Sequence, residues 1–171
     1  MANLLLSEGS NYRGLVDELK SKYIVLNRGT ALGKFYAVAS WGDRDSSEYF
    51  GVYSVPDKGA YKTIMLFYPE YYKTLVSRLY NFDGEAVVPD RVVVITFTDD
   101  NVVTEAKQFP SYQDAQGYIS SAGVDNIRIV GPNPAISPVI LDKVEGYELV
   151  YGSAEVVNGM PEVKIFEYRK K

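Results

Sequence analysis

LFYPEYYKTLVSRLYNFDG, residues 66–84, decides how the chain is read. Pro69 suits the first turn of a helix, where its missing N–H leaves nothing unpaired. Tyr72, Leu75, Val76 and Leu79 follow at i, i+3, i+4 and i+7, one apolar stripe. Glu70, Lys73, Thr74, Ser77 and Arg78 fall on the opposite, solvent-facing side. Glu70 near the start and Arg78 near the end suit the helix dipole. Asp83-Gly84 stops the helix, since Gly takes the left-handed cap conformation without strain. The stretch predicts an amphipathic core helix of about three turns. By itself it carries no activity.

Outward from it, the signals alternate. Tyr12, Leu15, Val16 and Leu19 have helical spacing, and Lys22–Asn27 reads as a buried strand. Thr30 is the expected N-cap of a second helix with Leu32, Phe35, Val38 and Ala39 inward. Runs near 48–55 and 61–67 read as strands joined by a turn at Pro56-Asp57-Lys58-Gly59. Past Pro89, Arg91–Thr98 and 102–107 read as strands joined by Asp99-Asp100-Asn101. Ser111 with Asp114 opens a short helix that Gly123 ends. Asn126–Val130 is a further strand, and Gly131 to Pro134 a rigid loop. Tyr147–Ser153 and Val163–Tyr168 flank Asn158-Gly159, a strong hairpin signal. The expectation is a mixed α/β (α+β) fold in one domain, residues 1–171. Residues 1–88 form a helix-rich α/β core, and 89–171 a β-rich part ending in an antiparallel hairpin.

Composition narrows the function classes. The 171 residues are 46% apolar and 23% charged, with net charge −4, ordinary values for a globular protein. The only basic run is Arg169-Lys170-Lys171, so a nucleic-acid partner is not expected. Glu105-Ala-Lys and Glu162-Val-Lys read as solvated faces. The chain holds no Cys and no His. Thiolate or imidazole metal sites, disulfides and His-assisted nucleophiles are therefore excluded. Acid–base work would fall to Asp, Glu, Lys or Tyr. No apolar run reaches the ~20 residues of a bilayer span. Met1–Leu6 lacks the charged flank and cleavage pattern of a signal peptide.

Phosphate-loop, dinucleotide, nucleophile-elbow and EF-hand motifs are absent. Asp43, Asp45 and Asp99-Asp100 could hold a divalent cation as a hydrolase would, but Asp and Asn are also turn residues in their own right. Trp41 is the single Trp; it reads either as a binding platform or, the commoner outcome, as a half-buried core aromatic. The 15 Tyr residues suit a carbohydrate or peptide surface and equally a β-rich core.

Four blocks, in order, resemble the C-terminal globular domain of the archaeal oligosaccharyltransferase catalytic subunit. They are Lys22-Tyr-Ile-Val-Leu, Lys34-Phe-Tyr-Ala-Val38, the opening Tyr71–Gly84 segment, and Ser137-Pro-Val-Ile-Leu through Tyr147 to Ser153. A closing Val163–Tyr168 resembles that family's last strand. The resemblance implies transfer of an oligosaccharide from a lipid-linked donor to Asn in Asn-x-Ser/Thr. It implies a multi-pass cell-membrane enzyme with this domain on the extracytoplasmic side, partnered by its own transmembrane domain. The catalytic carboxylates and their Mn or Mg ion would lie outside this chain, leaving it no catalytic residue and no metal site, and inactive alone. Its share would be acceptor recognition. In the family a Trp-Trp-Asp-Tyr-Gly motif holds the Ser/Thr hydroxyl, and a D-x-x-K-x-x-x-(M/I) helix packs on the Thr methyl. Lys34 and Val38 match the Lys and the last apolar residue of that helix and are the implied acceptor-binding residues. Two departures stand out. Trp-Trp-Asp-Tyr-Gly is absent, and Ala31 occupies the acid's position. Asp17, Lys20 and Ile24 fit the same pattern by letters, in a register that places Ile24 inside a strand. The alternative is a free-standing extracellular binding domain without catalysis.

Overall fold

A computed structural model describes residues 1–170. In chain order the elements are α1 (Ala2–Leu5), α2 (Tyr12–Leu19), β1 (Tyr23–Asn27), a π-helical turn (Gly29–Gly33), α3 (Phe35–Trp41) and a 3-10 turn (Ser46–Glu48). Then come β2 (Phe50–Asp57), β3 (Ala60–Phe67), α4 (Pro69–Lys73), α5 (Leu75–Phe82), β4 (Val92–Phe97) and β5 (Val103–Phe109). The last are α6 (Tyr112–Ala122), β6 (Ile127–Val130), β7 (Tyr147–Gly152), β8 (Val156–Val157), β9 (Met160–Pro161) and β10 (Val163–Tyr168). This is the mixed α+β class that the sequence indicates, with small antiparallel ladders and a closing hairpin. The contacts sort into two compact units, Met1–Ser46 with Lys73–Val87 and Leu141–Lys171, and Ser47–Tyr72 with Val88–Ile140.

The first unit holds the antiparallel sheet β1–β10–β7, with β10 central. Ile24 and Leu26 of β1 are buried while Tyr23, Val25 and Asn27 are exposed, the period-two pattern of a strand with one covered face. The nested β8–β9 pair turns at Asn158 and Gly159, both at positive φ (52° and 80°). That is the backbone a two-residue hairpin loop needs, and it is why Asn-Gly serves there.

The opening stretch is not one helix. Thr74 breaks it, at φ −66° and ψ 148°, and its side chain caps α5 by accepting the Ser77 N–H. The Leu75 N–H donates to Ser7 O at 2.8 Å instead of continuing the α4 ladder. Nor is one face of α5 solvated: Leu75 to Tyr80 are all buried, Ser77 and Arg78 among them. Arg78 is 4% exposed; it donates to Gly9 O at 2.6 Å and to Asp142 O at 2.9 Å. Burial lowers its pKa, and the guanidinium carries its charge inside because backbone carbonyls receive it. Lys164, expected on a solvated face, is 5% exposed and ends α5: its ammonium donates to Tyr80 O at 2.8 Å and pairs with Asp83 at 2.6 Å. A cation on the last carbonyls complements the helix dipole.

In the second unit, β4 is the centre of the sheet β5–β4–β6. Val92 and Val94 face α6 with Ala115, Ile127 and Ile129. Ile95 faces the other way, with Tyr53, Tyr68, Val103 and Val130. Both faces of β4 are covered, so it reads as a continuous apolar run rather than an alternation. Ser111 caps α6 by accepting the Asp114 N–H at 3.1 Å, and Gly123 ends it at φ 64°. The β2–β3 turn sits at Lys58 and Gly59, both at positive φ, and Pro56 and Asp57 remain in β2. Pro56 is tolerated because β2 is paired along its length only with β3, its other edge carrying a single bridge, at Ser54 with Val102. Gly131 has no substitute, because the Tyr72 ring occupies the space a Cβ would take.

Candidate functional site

The two residues implied as acceptor contacts lie in the first unit, where β1 hands over to α3. Asn27 ends the strand, and its side-chain oxygen accepts the Thr30 N–H at 2.8 Å. The chain then winds through Gly29–Gly33 with the wider π-type closure of Lys34 N–H on Gly29 O, 2.7 Å. Lys34, at φ −119° and ψ 23°, is therefore the N-cap residue of α3 and not an interior helix lysine. Thr30 is correspondingly no N-cap, because the Gly29–Gly33 winding precedes α3 as a separate turn.

From Lys34, the residues one and two turns on share a face: Val38 at i+4 and Trp41 three further. They line a cavity of about 460 Å3 together with Asn27, Thr30 and Glu162. Val38 is 2% exposed, a wall residue anchored in the core. Lys34 is exposed and makes no ion pair or side-chain hydrogen bond among the described residues. Trp41 corrects the half-buried expectation: as the last residue of α3 it is 76% exposed. Ala31, at the position of the family's acid, is fully buried.

Other candidates disperse. Asp17, Lys20 and Ile24 share no helix. Asp17 is on α2 and pairs with Lys170 at 2.9 Å, Lys20 is the left-handed residue that ends α2, and Ile24 is buried in β1. Asp99 accepts a 2.7 Å hydrogen bond from Asn126, a turn role. Among the described residues no three of His, Cys, Asp and Glu gather into a metal-holding group, so Asp43, Asp45 and Asp99 are not brought together as one ligand set. Many tyrosines are core: Tyr12, Tyr71, Tyr72 and Tyr80 are fully buried. The Tyr53 and Tyr68 hydroxyls meet at 2.6 Å, and burial first, then that bond, pushes the Tyr53 pKa up.

The sequence did not single out a second concavity, of about 840 Å3, in the second unit, where Tyr68, Glu70, Tyr112 and Arg128 lie and the Arg128 guanidinium stacks 4.3 Å over the Tyr68 ring. Glu162, read from the sequence as part of a solvated face, lines the same cavity as Lys34. The pairing of β1 with β10 brings Asn27 opposite Val163, and so places Glu162 at the cavity.

No helix of the described residues is long and apolar enough to cross a membrane. No protein-family model matches the chain, and no curated protein sequence matches it. Solved structures of the oligosaccharyltransferase of Archaeoglobus fulgidus are similar to it. One, a complex with Zn and sulfate, is 18% identical with a TM-score of 0.46, covering 98% of this chain and 24% of that one. Another, tethered by a disulfide bond to an acceptor peptide containing the NVT sequon, is 16% identical with a TM-score of 0.49, covering 98% and 23%. The apo form is 17% identical with a TM-score of 0.44, covering 98% and 22%. The chain thus spans about a quarter of the length of those solved chains.

Proposed function

We propose that this chain is the extracytoplasmic, acceptor-recognising part of a membrane oligosaccharyltransferase that modifies Asn in Asn-x-Ser/Thr. The observation that carries this is the placement of Lys34 and Val38. They match the family's acceptor helix by letter, and they stand together at one cavity with an unburied aromatic beside them. Residues 1–171 act as one domain at the cell surface. The lipid-linked oligosaccharide donor, the catalytic carboxylates and their Mn or Mg ion belong to the transmembrane part, so this chain alone transfers nothing. Val38 packs on the Thr methyl, an advantage over Ser of about one buried carbon, ~0.8 kcal/mol. A hydroxyl-specific site also rejects analogues that lack the hydroxyl, because its polar groups are then left unpaired.

The test is a titration of isotope-labelled chain with an Asn-Val-Thr peptide and with its Asn-Val-Ala counterpart. The expected result is amide shifts at Lys34, Ala37 and Val38 with the Thr peptide, lost with Ala. Equal or absent shifts would overturn acceptor recognition and leave a binding domain of another kind. Incubation with lipid-linked donor and peptide is expected to give no glycopeptide; product would refute the claim of inactivity.

A further inference from the structure

We infer that the concavity of the second unit binds a free α-amino acid with a branched apolar side chain: Arg128 takes its carboxylate, Glu70 its ammonium, and Ile119, Ile127 and Ile129 its side chain. This does not rest on the acceptor-recognition proposal above, which concerns the first unit. The charged residues of the lining are Glu48, Glu70 and Arg128. A simple anion there would meet two carboxylates, and a simple cation the guanidinium. A ligand that carries both signs can face each with its opposite. Arg128 and Glu70 are both exposed, and neither makes an ion pair or side-chain hydrogen bond among the described residues. Arg128 can only donate and Glu70, ionised, can only accept, the complement of a carboxylate and an ammonium.

The fold holds Arg128 in position. β6 pairs with β4, and Arg128 stands opposite Ile95, on the sheet face that packs Tyr53 and Tyr68. Ile127 and Ile129 point to the other face, toward α6. All three line the concavity, which therefore wraps the outer edge of β6. Tyr68 is 5% exposed and its hydroxyl is tied to that of Tyr53 at 2.6 Å, so its ring is fixed. The guanidinium lies 4.3 Å over that ring, which leaves its N–H edge unspent. A planar fork oriented in advance loses little freedom when it takes a carboxylate through two parallel hydrogen bonds.

The rest of the lining suits the remainder of such a ligand. Glu70 comes from the first turn of α4, directly after Pro69. From α6, Tyr112, Gln116 and Ser120 follow at i, i+4 and i+8 on one face, with Ile119 beside them. Ile127 and Ile129 are each 8% exposed, a nearly closed apolar floor that a short hydrocarbon side chain would complete. About 840 Å3 lies within the range of small-molecule sites, which pair apolar walls with a few placed polar groups.

Leucine, N-acetylleucine, which lacks the ammonium, and leucinamide, which lacks the carboxylate, separate the two contacts in titrations of the isotope-labelled full chain. Leucine is expected to move the Glu70, Gln116 and Arg128 amides saturably. Each capped analogue should bind about tenfold more weakly, the worth of a hydrogen bond to a charged group. Arg128→Gln should abolish the preference for leucine over leucinamide and keep that over N-acetylleucine, and Glu70→Gln should do the reverse. Arg128→Lys, a charge without the fork, should fall between wild type and Arg128→Gln. A variant that melts earlier yet keeps both preferences would mark a purely structural contact and overturn its assignment. No saturable shift with leucine, or shifts with methyl glucoside in its place, would overturn the proposal. The acceptor peptides are read at Lys34 and Val38, so either proposal can fail without the other.

Discussion

Arg78→Met tests directly how α5 is held. The guanidinium supplies two hydrogen bonds, to Gly9 O at 2.6 Å and Asp142 O at 2.9 Å, from a side chain that is nearly inaccessible. Met fills much of the same volume and donates nothing. Each abandoned carbonyl costs about 1–2 kcal/mol, and removing a buried charge returns about 1 kcal/mol. The net expected loss is about 1–3 kcal/mol. For a chain of this size that corresponds to a fall in Tm of roughly 2–12 °C. Urea unfolding followed by circular dichroism gives the free energy. Hydrogen exchange at Leu26 and Phe166 assigns the loss to the unit that contains Arg78. Arg78→Lys, with a point charge that reaches one carbonyl better than two, should fall between. If Arg78→Met stays within about 0.5 kcal/mol of wild type, the side chain behaves as a surface arginine and the two hydrogen bonds contribute nothing.

Thr74→Ala should lose about 1–2 kcal/mol, since the Ser77 N–H loses its cap in a buried setting, while Thr74→Ser retains most of it; equal stability of all three in urea would refute the cap. Glu167 is held down to about pKa 2, by Lys22 first and Arg169 next, against an ordinary 4.5. Its folded-state pKa is depressed, so its contribution is complete above pH ~5 and drains away as the pH falls from about 4.5 toward 2. Glu167→Gln should flatten that part of the stability–pH curve. Parallel acid limbs for variant and wild type would show that Lys22 and Arg169 do not act through this carboxylate.

Where chemistry is local, the sequence was sufficient. Ser111, Asp114 and Gly123 set the limits of α6 by cap bonds within a few residues, and Asn158-Gly159 sets its turn by its own backbone freedom. Where the deciding partner is remote, the letters could not show it. The break at Thr74 exists because Ser7 O takes the Leu75 N–H, and Arg78 turns inward because Gly9 and Asp142 offer carbonyls. Lys164 looks like a surface lysine until Tyr80 O and Asp83 stand before it. The site followed the same division. Lys34 and Val38 are visible through a resemblance carried by adjacent letters. Trp41 was weighed and underestimated, since a lone Trp is usually covered. Glu162 was dismissed, since only the pairing of distant strands brings it to the cavity.

The central position of β10 has a consequence for synthesis of the chain. Tyr23 and Glu167, partners in the β1–β10 ladder, are 144 residues apart. Closing so long a loop costs roughly 4 kcal/mol by chain-length scaling alone. Until the closing strand leaves the ribosome, β1 waits with an unpaired edge, carrying Tyr23 and Val25 on its outer face and Ile24 and Leu26 on its inner one. Such an edge is a template for the wrong partner. Nascent chains arrested before Val163 should therefore bind holdase chaperones and aggregate, and release should coincide with emergence of Val163–Tyr168 rather than with that of any earlier helix.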